Sequence, residues 1–158
     1  MRNRFRDLVV AIIAAVATGF VLVSLPQTSG QSAQRGRTTD GKPAHGLVRF
    51  TRRYRVRGVI DSTLAGRDAG ETLDGRRRDI PIVATLEDGL ALPGPPITHL
   101  VVGVATVGGR LPAELGSPIA RALTRGIHVD SGLHEFLSED PEFAKTAAAS
   151  GARIRDVR

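Results

Sequence analysis

From Arg55 onward, short apolar runs alternate with segments of helical spacing. Val56 to Ile60 is β-branched and closes on Asp61, the profile of a short strand. Ser62 to Arg78 is rich in Gly, Asp and Arg and reads as a loop. Ile80 to Ala84 predicts a second strand, with Pro81 near its start, where a missing N–H is tolerated. Thr85 is placed to cap a short helix over Leu86 to Leu92, with Glu87 and Asp88 in its first turn. The cluster Pro93-Gly94-Pro95-Pro96 ends it. His99 to Val104 is nearly continuous in apolar residues, as in a central strand. Over Pro112 to Arg125, Leu115, Ile119, Ala122 and Leu123 recur at helical spacing, and Gly126 is a natural stop. Ile127 to Asp130 predicts a fourth strand. Asp140-Pro141 opens a last helix through Ala149, and Ala152 to Val157 a final strand.

Strands alternating with helices imply βαβ units: an α/β fold with a Rossmann-like, mostly parallel sheet, flanking helices and right-handed crossovers. The composition agrees. Hydrophobic residues make up 41% but aromatics only 4%, so Val, Ile, Leu and Ala must build the core. The 158 residues leave room for one domain, or for one domain plus an extension, and without cysteine there is no thiolate metal site. No histidine spacing fits a metal site either, and His134-Glu135 is not the start of an H-E-x-x-H pattern, because position 138 is Ser.

Ahead of this domain stands a different kind of segment. Arg2, Arg4 and Arg6 precede Leu8 to Leu25, 18 residues without a charge. As a helix that run would reach about 27 Å, close to the thickness of a membrane core. Residues 1–37 are therefore expected to form an apolar helix, an anchor or a signal, with a polar linker. Residues 38–158 are expected to form the domain. Localisation follows from that choice: membrane-anchored through residues 8–25, or cytoplasmic if the start is misassigned.

The net charge of +6 is unevenly distributed. Residues 1–42 carry +4 and residues 43–158 only +2. The arginines at 49, 52, 53, 55 and 57, and at 76, 77 and 78, lack the set of aromatic platforms on which bases stack. They read as solvated surface, and no nucleic-acid partner is expected.

In parallel sheets ligands sit beyond the carboxyl ends of the strands. Asp61 ends the first recognisable strand and fits either a ribose-binding acid or a turn cap with Ser62-Thr63. No G-x-G-x-x-G stands upstream of it. Gly103 to Arg110 contains Gly108-Gly109 between a strand and a helix. It suits either an anion-binding loop of backbone N–H groups or a plain tight turn. His134 and Glu135 follow the fourth strand, as an acid–base pair or as an ordinary helix lead-in. Lys42 and His45 lie in a glycine-containing stretch with no strand directly before it.

The stretches DGKPAHGLVRF (40–50), GVIDSTLAGRDAGETLDG (58–75), IPIVATLEDGL (80–90), VVGVATVGGRLP (101–112), SGLHEFLSEDPEFA (131–144) and IRDVR (154–158) resemble, in order, a known family. It is the N-terminal Rossmann-like domain of a domain-of-unknown-function family that includes D-glutamate N-acetyltransferase. By motif match, the resemblance implies a small-molecule pocket formed by Lys42, His45, Asp61, Gly108, Gly109, His134 and Glu135. It also implies an N-acyltransferase setting, with acetyl-CoA or a nucleotide as the cofactor class. Members continue after the Arg-Asp-Val-Arg motif into a domain with a P-loop-like motif. The expectation is a ligand-binding domain without that second half, inactive alone. The alternatives are a subunit working with a separately encoded C-terminal partner, or a membrane-anchored binding module.

Members also begin with a strand running directly into the Gly-Lys-His loop, and here that first strand is expected to be missing or displaced. Val9 to Ile13 or Val21 to Val23 could fill its place only through a loop of more than ten residues to Lys42. The sequence therefore predicts a detached apolar helix and a marginal or rearranged sheet.

Overall fold

The structure, a computed structural model, describes residues 9–13, 48, 54–104 and 107–157. Its centre is a six-stranded sheet in the order β3-β2-β1-β4-β5-β6. The strands are β1 (Val9–Ile13), β2 (Arg55–Ile60), β3 (Ile82–Val83), β4 (His99–Val102), β5 (His128–Ser131) and β6 (Ile154–Asp156). All neighbouring strands are parallel. The chain moves outward from β1 through β2 to β3, then returns and moves the other way through β4, β5 and β6. The order therefore reverses between β1 and β4, the switch point at which Rossmann-type sheets open a crevice.

The first strand is thus neither missing nor displaced from the sheet. Val9–Ile13, residues that the hydropathy pattern assigns to a separate apolar helix, form the central strand. Val10 to Ile13 pair with His99 to Val102 on one side, and Val9 to Ile13 with Arg55 to Ile60 on the other, with one register irregularity between Val10 and Ala11. The physical reason is local. Val-Val-Ala-Ile-Ile is apolar throughout and β-branched at four of its five positions, which suits a strand paired on both edges. Embedded in a longer uncharged run, it looks like part of a membrane segment. Both of its edges are paired, so the expected rows of unpaired backbone groups do not arise. The rest of that run, including Val21 to Val23, lies outside the described residues. Among the described residues no helix is long and apolar enough to cross a membrane.

The helices are α1 (Ala69–Asp74), α2 (Leu86–Leu90), α3 (Ala113–Thr124) and α4 (Pro141–Ser150). Val48 is also helical and buried. The apolar stripe anticipated on α3 is completely covered: Ile119, Ala122 and Leu123 have no exposure and Leu115 almost none. α3 packs on α4 and on β5. β4 and β5 turn Leu100, Val102, Val129 and Ser131, all fully buried, to one face. They turn His99, Val101, His128 and Asp130 to the other.

A further helix differs from the loop expected over Ser62 to Arg78. α1 lies within the stretch read as loop. Asp68 caps its first turn and Gly75, left-handed at φ 74°, ends it.

Candidate functional site at the carboxyl ends of β4 and β5

β4 delivers the chain to the switch point, since Val102 is the register partner of Ile13. Gly103 and Val104 follow, both buried, and a short 3-10 turn then covers Val107–Gly109. Gly108 and Gly109 both adopt left-handed backbone, at φ 76° and 66°. Side chains rarely accept that conformation, which accounts for paired glycines here. At Gly109 there is a second reason. A Cβ would stand 2.5 Å from Cγ of His134 and 2.6 Å from its Cβ.

β5 delivers the other half. After Ser131, the Gly132 N–H donates to the Val102 carbonyl at 3.1 Å and ties the loop to β4. The N–H groups of His134 and Glu135 both donate to the Gly109 carbonyl, at 3.0 and 3.1 Å. In return, Glu135 Oε2 accepts the Leu111 N–H at 2.7 Å. These three bonds clasp the glycine loop to the His-Glu loop. Four residues singled out from sequence therefore form one unit: Gly108, Gly109, His134 and Glu135. In it Glu135 accepts from the glycine-loop backbone, and the His134 ring lies against Gly109.

Asp61 stands elsewhere, at the end of β2, with β1 between it and β4. It is 1% exposed. Its Oδ1 accepts from the Thr63 N–H at 2.8 Å, the Thr63 hydroxyl at 2.7 Å and the Leu64 N–H at 3.3 Å. This is the geometry of an aspartate that closes its own turn. Lys42 and His45 lie outside the described residues.

Other polar groups gather where no sequence motif points to a site. Asp130, in the middle of β5, is 5% exposed. Its Oδ2 accepts from the Tyr54 hydroxyl and from Arg155 Nη2, both at 2.5 Å, and Arg155 also donates to the Tyr54 hydroxyl. His99 and His128 sit edge to face nearby, with ring centroids 4.8 Å apart. Asp156 reaches across to the segment after Glu135: Oδ1 accepts the Leu137 N–H at 2.9 Å, and Oδ2 the Ser138 hydroxyl at 2.6 Å and N–H at 3.2 Å. The sequence signal for these contacts is the Arg-Asp pair of the terminal IRDVR motif, without any hint of what it touches.

A cavity of about 550 Å³ lies away from this site, beside α1, lined by Arg67, Asp68, Glu71, Arg77 and Asp79 among others. Arg77 there is paired with Asp79 at 2.8 Å and with Glu71 at 3.7 Å. Its charge is satisfied, so the strand ends carry the stronger case for ligand binding.

Comparison with known proteins agrees with the architecture. A DUF1611 family protein of Anabaena variabilis superposes with a TM-score of 0.71 at 28% identity, covering 96% of this chain and 37% of that one. The Bacillus subtilis protein yvaA superposes at a TM-score of 0.54 and 16% identity, covering 95% of this chain and 34% of that one, a likeness of fold alone. A D-glutamate N-acetyltransferase of Tritonibacter scottomollicae is 41% identical over 59 residues. That match covers 37% of this chain and 18% of the relative. The chain thus spans well under half the length of each. Residues 62–158 match the family described as "Domain of unknown function (DUF1611_N) Rossmann-like domain", and the chain belongs to that family.

Proposed function

We propose that this chain is the ligand-binding Rossmann-like part of a D-glutamate N-acetyltransferase-like protein. The observation that carries the reading is the clasp between the Gly108-Gly109 loop and the His134-Glu135 loop at the switch point. Left-handed glycines let backbone N–H groups approach an anion closely, and a crevice at the strand ends is where such folds hold ligands. The ligand class is a small anionic molecule: acetyl-CoA or a nucleotide through its phosphates, or an acidic amino acid through its carboxylates. Lys42 and His45 belong to the same pocket on this reading, and Asp61 shapes its β2 side.

The relatives are much longer than the matched stretch, so turnover on this reading draws on groups that this domain does not supply. They come from a P-loop-like domain, attached or separately encoded. Residues 1–158 by themselves are therefore expected to bind ligand without acetylating D-glutamate. Titration calorimetry with acetyl-CoA, ATP and D-glutamate tests this, run on the wild type and on Gly109→Ala and His134→Ala. Saturable binding of one of the three, lost in both variants while they remain folded, is expected. No binding of any of them, or binding indifferent to both changes, would overturn the reading.

A further inference from the structure

The Arg-Asp pair of the IRDVR motif lies outside the clasp between the two loops, yet its side chains lead there. Arg155 and Asp156 are adjacent in β6, so they point to opposite faces of the sheet. Arg155 pairs in register with Asp130 and is bound to its carboxylate, which fixes β6 against β5 on one face. Asp156 pairs in register with Ser131, the residue from which the His134-Glu135 loop departs. Its carboxylate then takes three donors from Leu137 and Ser138, immediately beyond that loop. The Val157 N–H donates to the Ser131 carbonyl at 2.7 Å. The loop is therefore tied to β6 at both ends: at Ser131 through the backbone, and at Leu137-Ser138 through Asp156.

We infer that Asp156 is a positioning residue for the ligand loop. By fixing the Leu137-Ser138 turn, it sets the path of residues 132–136 and so the hydrogen bonds that His134 and Glu135 make to Gly109. A carboxylate suits the task, because its two oxygens together accept the three donors and ionised acceptors make the stronger hydrogen bonds. The reach into ligand binding rests on the function proposed above. The loop geometry does not.

The test compares Asp156→Ala with Asp140→Ala in the full chain. Asp140 is a matched control. Its Oδ1 caps a helix, accepting from Glu142 and Phe143 N–H at 2.9 and 3.1 Å, and only its backbone N–H, which the substitution keeps, reaches the turn, at the Leu137 carbonyl, 3.3 Å away. Amide hydrogen exchange at His134 and Glu135 is the readout, since these N–H groups make the bonds to Gly109. Loss of a capping carboxylate opens such bonds locally, so exchange at both amides is expected to rise about tenfold in Asp156→Ala. It should stay within about twofold of wild type in Asp140→Ala. If Asp156→Ala does not fold, Asp156→Asn, which keeps one acceptor oxygen, should show an intermediate rise. Equal exchange in the two alanine variants, or no rise at all, would overturn the inference. Acetyl-CoA titration of the same variants adds the second arm, with affinity expected to fall in Asp156→Ala alone. Failure of the wild type to bind acetyl-CoA would count against the proposed ligand, while the exchange result would still decide the role of Asp156.

Discussion

The two wings of the sheet share one hydrophobic core but differ in what is added to it. On the β4-β5-β6 wing, helices of 12 and 10 residues pack on each other, and Leu100, Val102, Ile119, Leu123 and Val129 are sealed from solvent. On the β2-β3 wing the helices have six and five residues, and β3 has two. There Val59, Ile60, Leu73, Ile82 and Leu86 are buried as well, and polar groups add to the hold. Asp68 Oδ1 accepts the N–H groups of Gly70, Glu71 and Arg78, and Oδ2 that of Ile80. The edge of β3 is covered by residues 66 to 69, through bonds that include Ile82 N–H to the Arg67 carbonyl at 2.8 Å. One wing rests on long packed helices, and the other on a smaller buried apolar set reinforced by a hydrogen-bonded frame. The candidate ligand loops spring from the apolar wing, where both walls of the site are most firmly backed.

The strand between the wings should matter most. Ala11 faces Gly58 on one side and Leu100 on the other. Ala11→Pro removes a backbone donor and fixes φ in a strand paired on both edges, where proline is not accommodated. A buried group left unpaired costs about 1–3 kcal/mol, before any strain from the ring. A domain has only about 5–15 kcal/mol in all, so the cooperative urea transition is expected to shift by several kcal/mol or vanish. An unchanged midpoint would mean that Val9–Ile13 is not the central strand in solution. Pro81, directly before the short edge strand β3, shows how differently the same residue fares at the border.

Within the apolar wing, Ile119→Ala should cost about 2–5 kcal/mol, because a fully covered side chain leaves both lost burial and a cavity. Urea denaturation measures it, and a cost below that range would show that the wing is more loosely packed than the structure indicates.

How much of this could be read in the sequence divides along the same line. The apolar wing announces itself: α3 by its stripe, α4 by Asp140-Pro141 and Gly151, and β4 and β5 by continuous hydrophobicity. The polar wing was less legible. α1 carries a cap at Asp68, Glu71 in its first turn and a left-handed Gly75, yet its glycines, charges and brevity outweighed those signals. β1 is hidden in the sequence for another reason. Its pairing is with strands distant in sequence, and nothing local separates a buried strand from an equally apolar helix turn. The site was legible as far as topology carries, since Gly109 and His134 follow neighbouring strands. The bonds from Asp156 to Leu137 and Ser138 span 19 and 18 positions and leave no local trace.

The polar wing should be the acid-sensitive one. Burial pushes the Asp68 carboxyl upward, but the backbone N–H bonds from Glu71, Arg78, Ile80 and Gly70 outweigh it and hold the group below its ordinary value of 3.8. A folded-state value that is lowered contributes stability in full above the unfolded value. That contribution is lost as pH falls through the folded one. Wild-type stability is therefore expected to decline below about pH 4, with Asp68→Asn lacking that part of the decline. Asp68→Asn is also expected to be less stable at pH 7 by about 1–3 kcal/mol, since its amide cannot accept all four bonds. Parallel curves for the two proteins from pH 5 to pH 2 would remove Asp68 from the account.

The smallest effect should also be the most local. Thr85 and Asp88 form a reciprocal cap on α2. The Thr85 hydroxyl accepts the Asp88 N–H at 3.1 Å, and Asp88 Oδ2 accepts the Thr85 N–H at 3.1 Å and its hydroxyl at 2.7 Å. A five-residue helix has almost no internal ladder to fall back on: Gly89 and Ala91 N–H bond to Thr85 and Glu87. Thr85→Ala should therefore cost about 1 kcal/mol, the usual worth of such a cap. Because α2 packs on β2 and β3, the loss should stay within that wing. Amide exchange at Gly89 and Ala91 is expected to quicken, while exchange in α3 and α4 at a matched distance from global unfolding stays as in wild type. If exchange instead quickens uniformly across both wings, the two are one cooperative unit. The hydrogen-bonded frame would then be no less rigid than the apolar core.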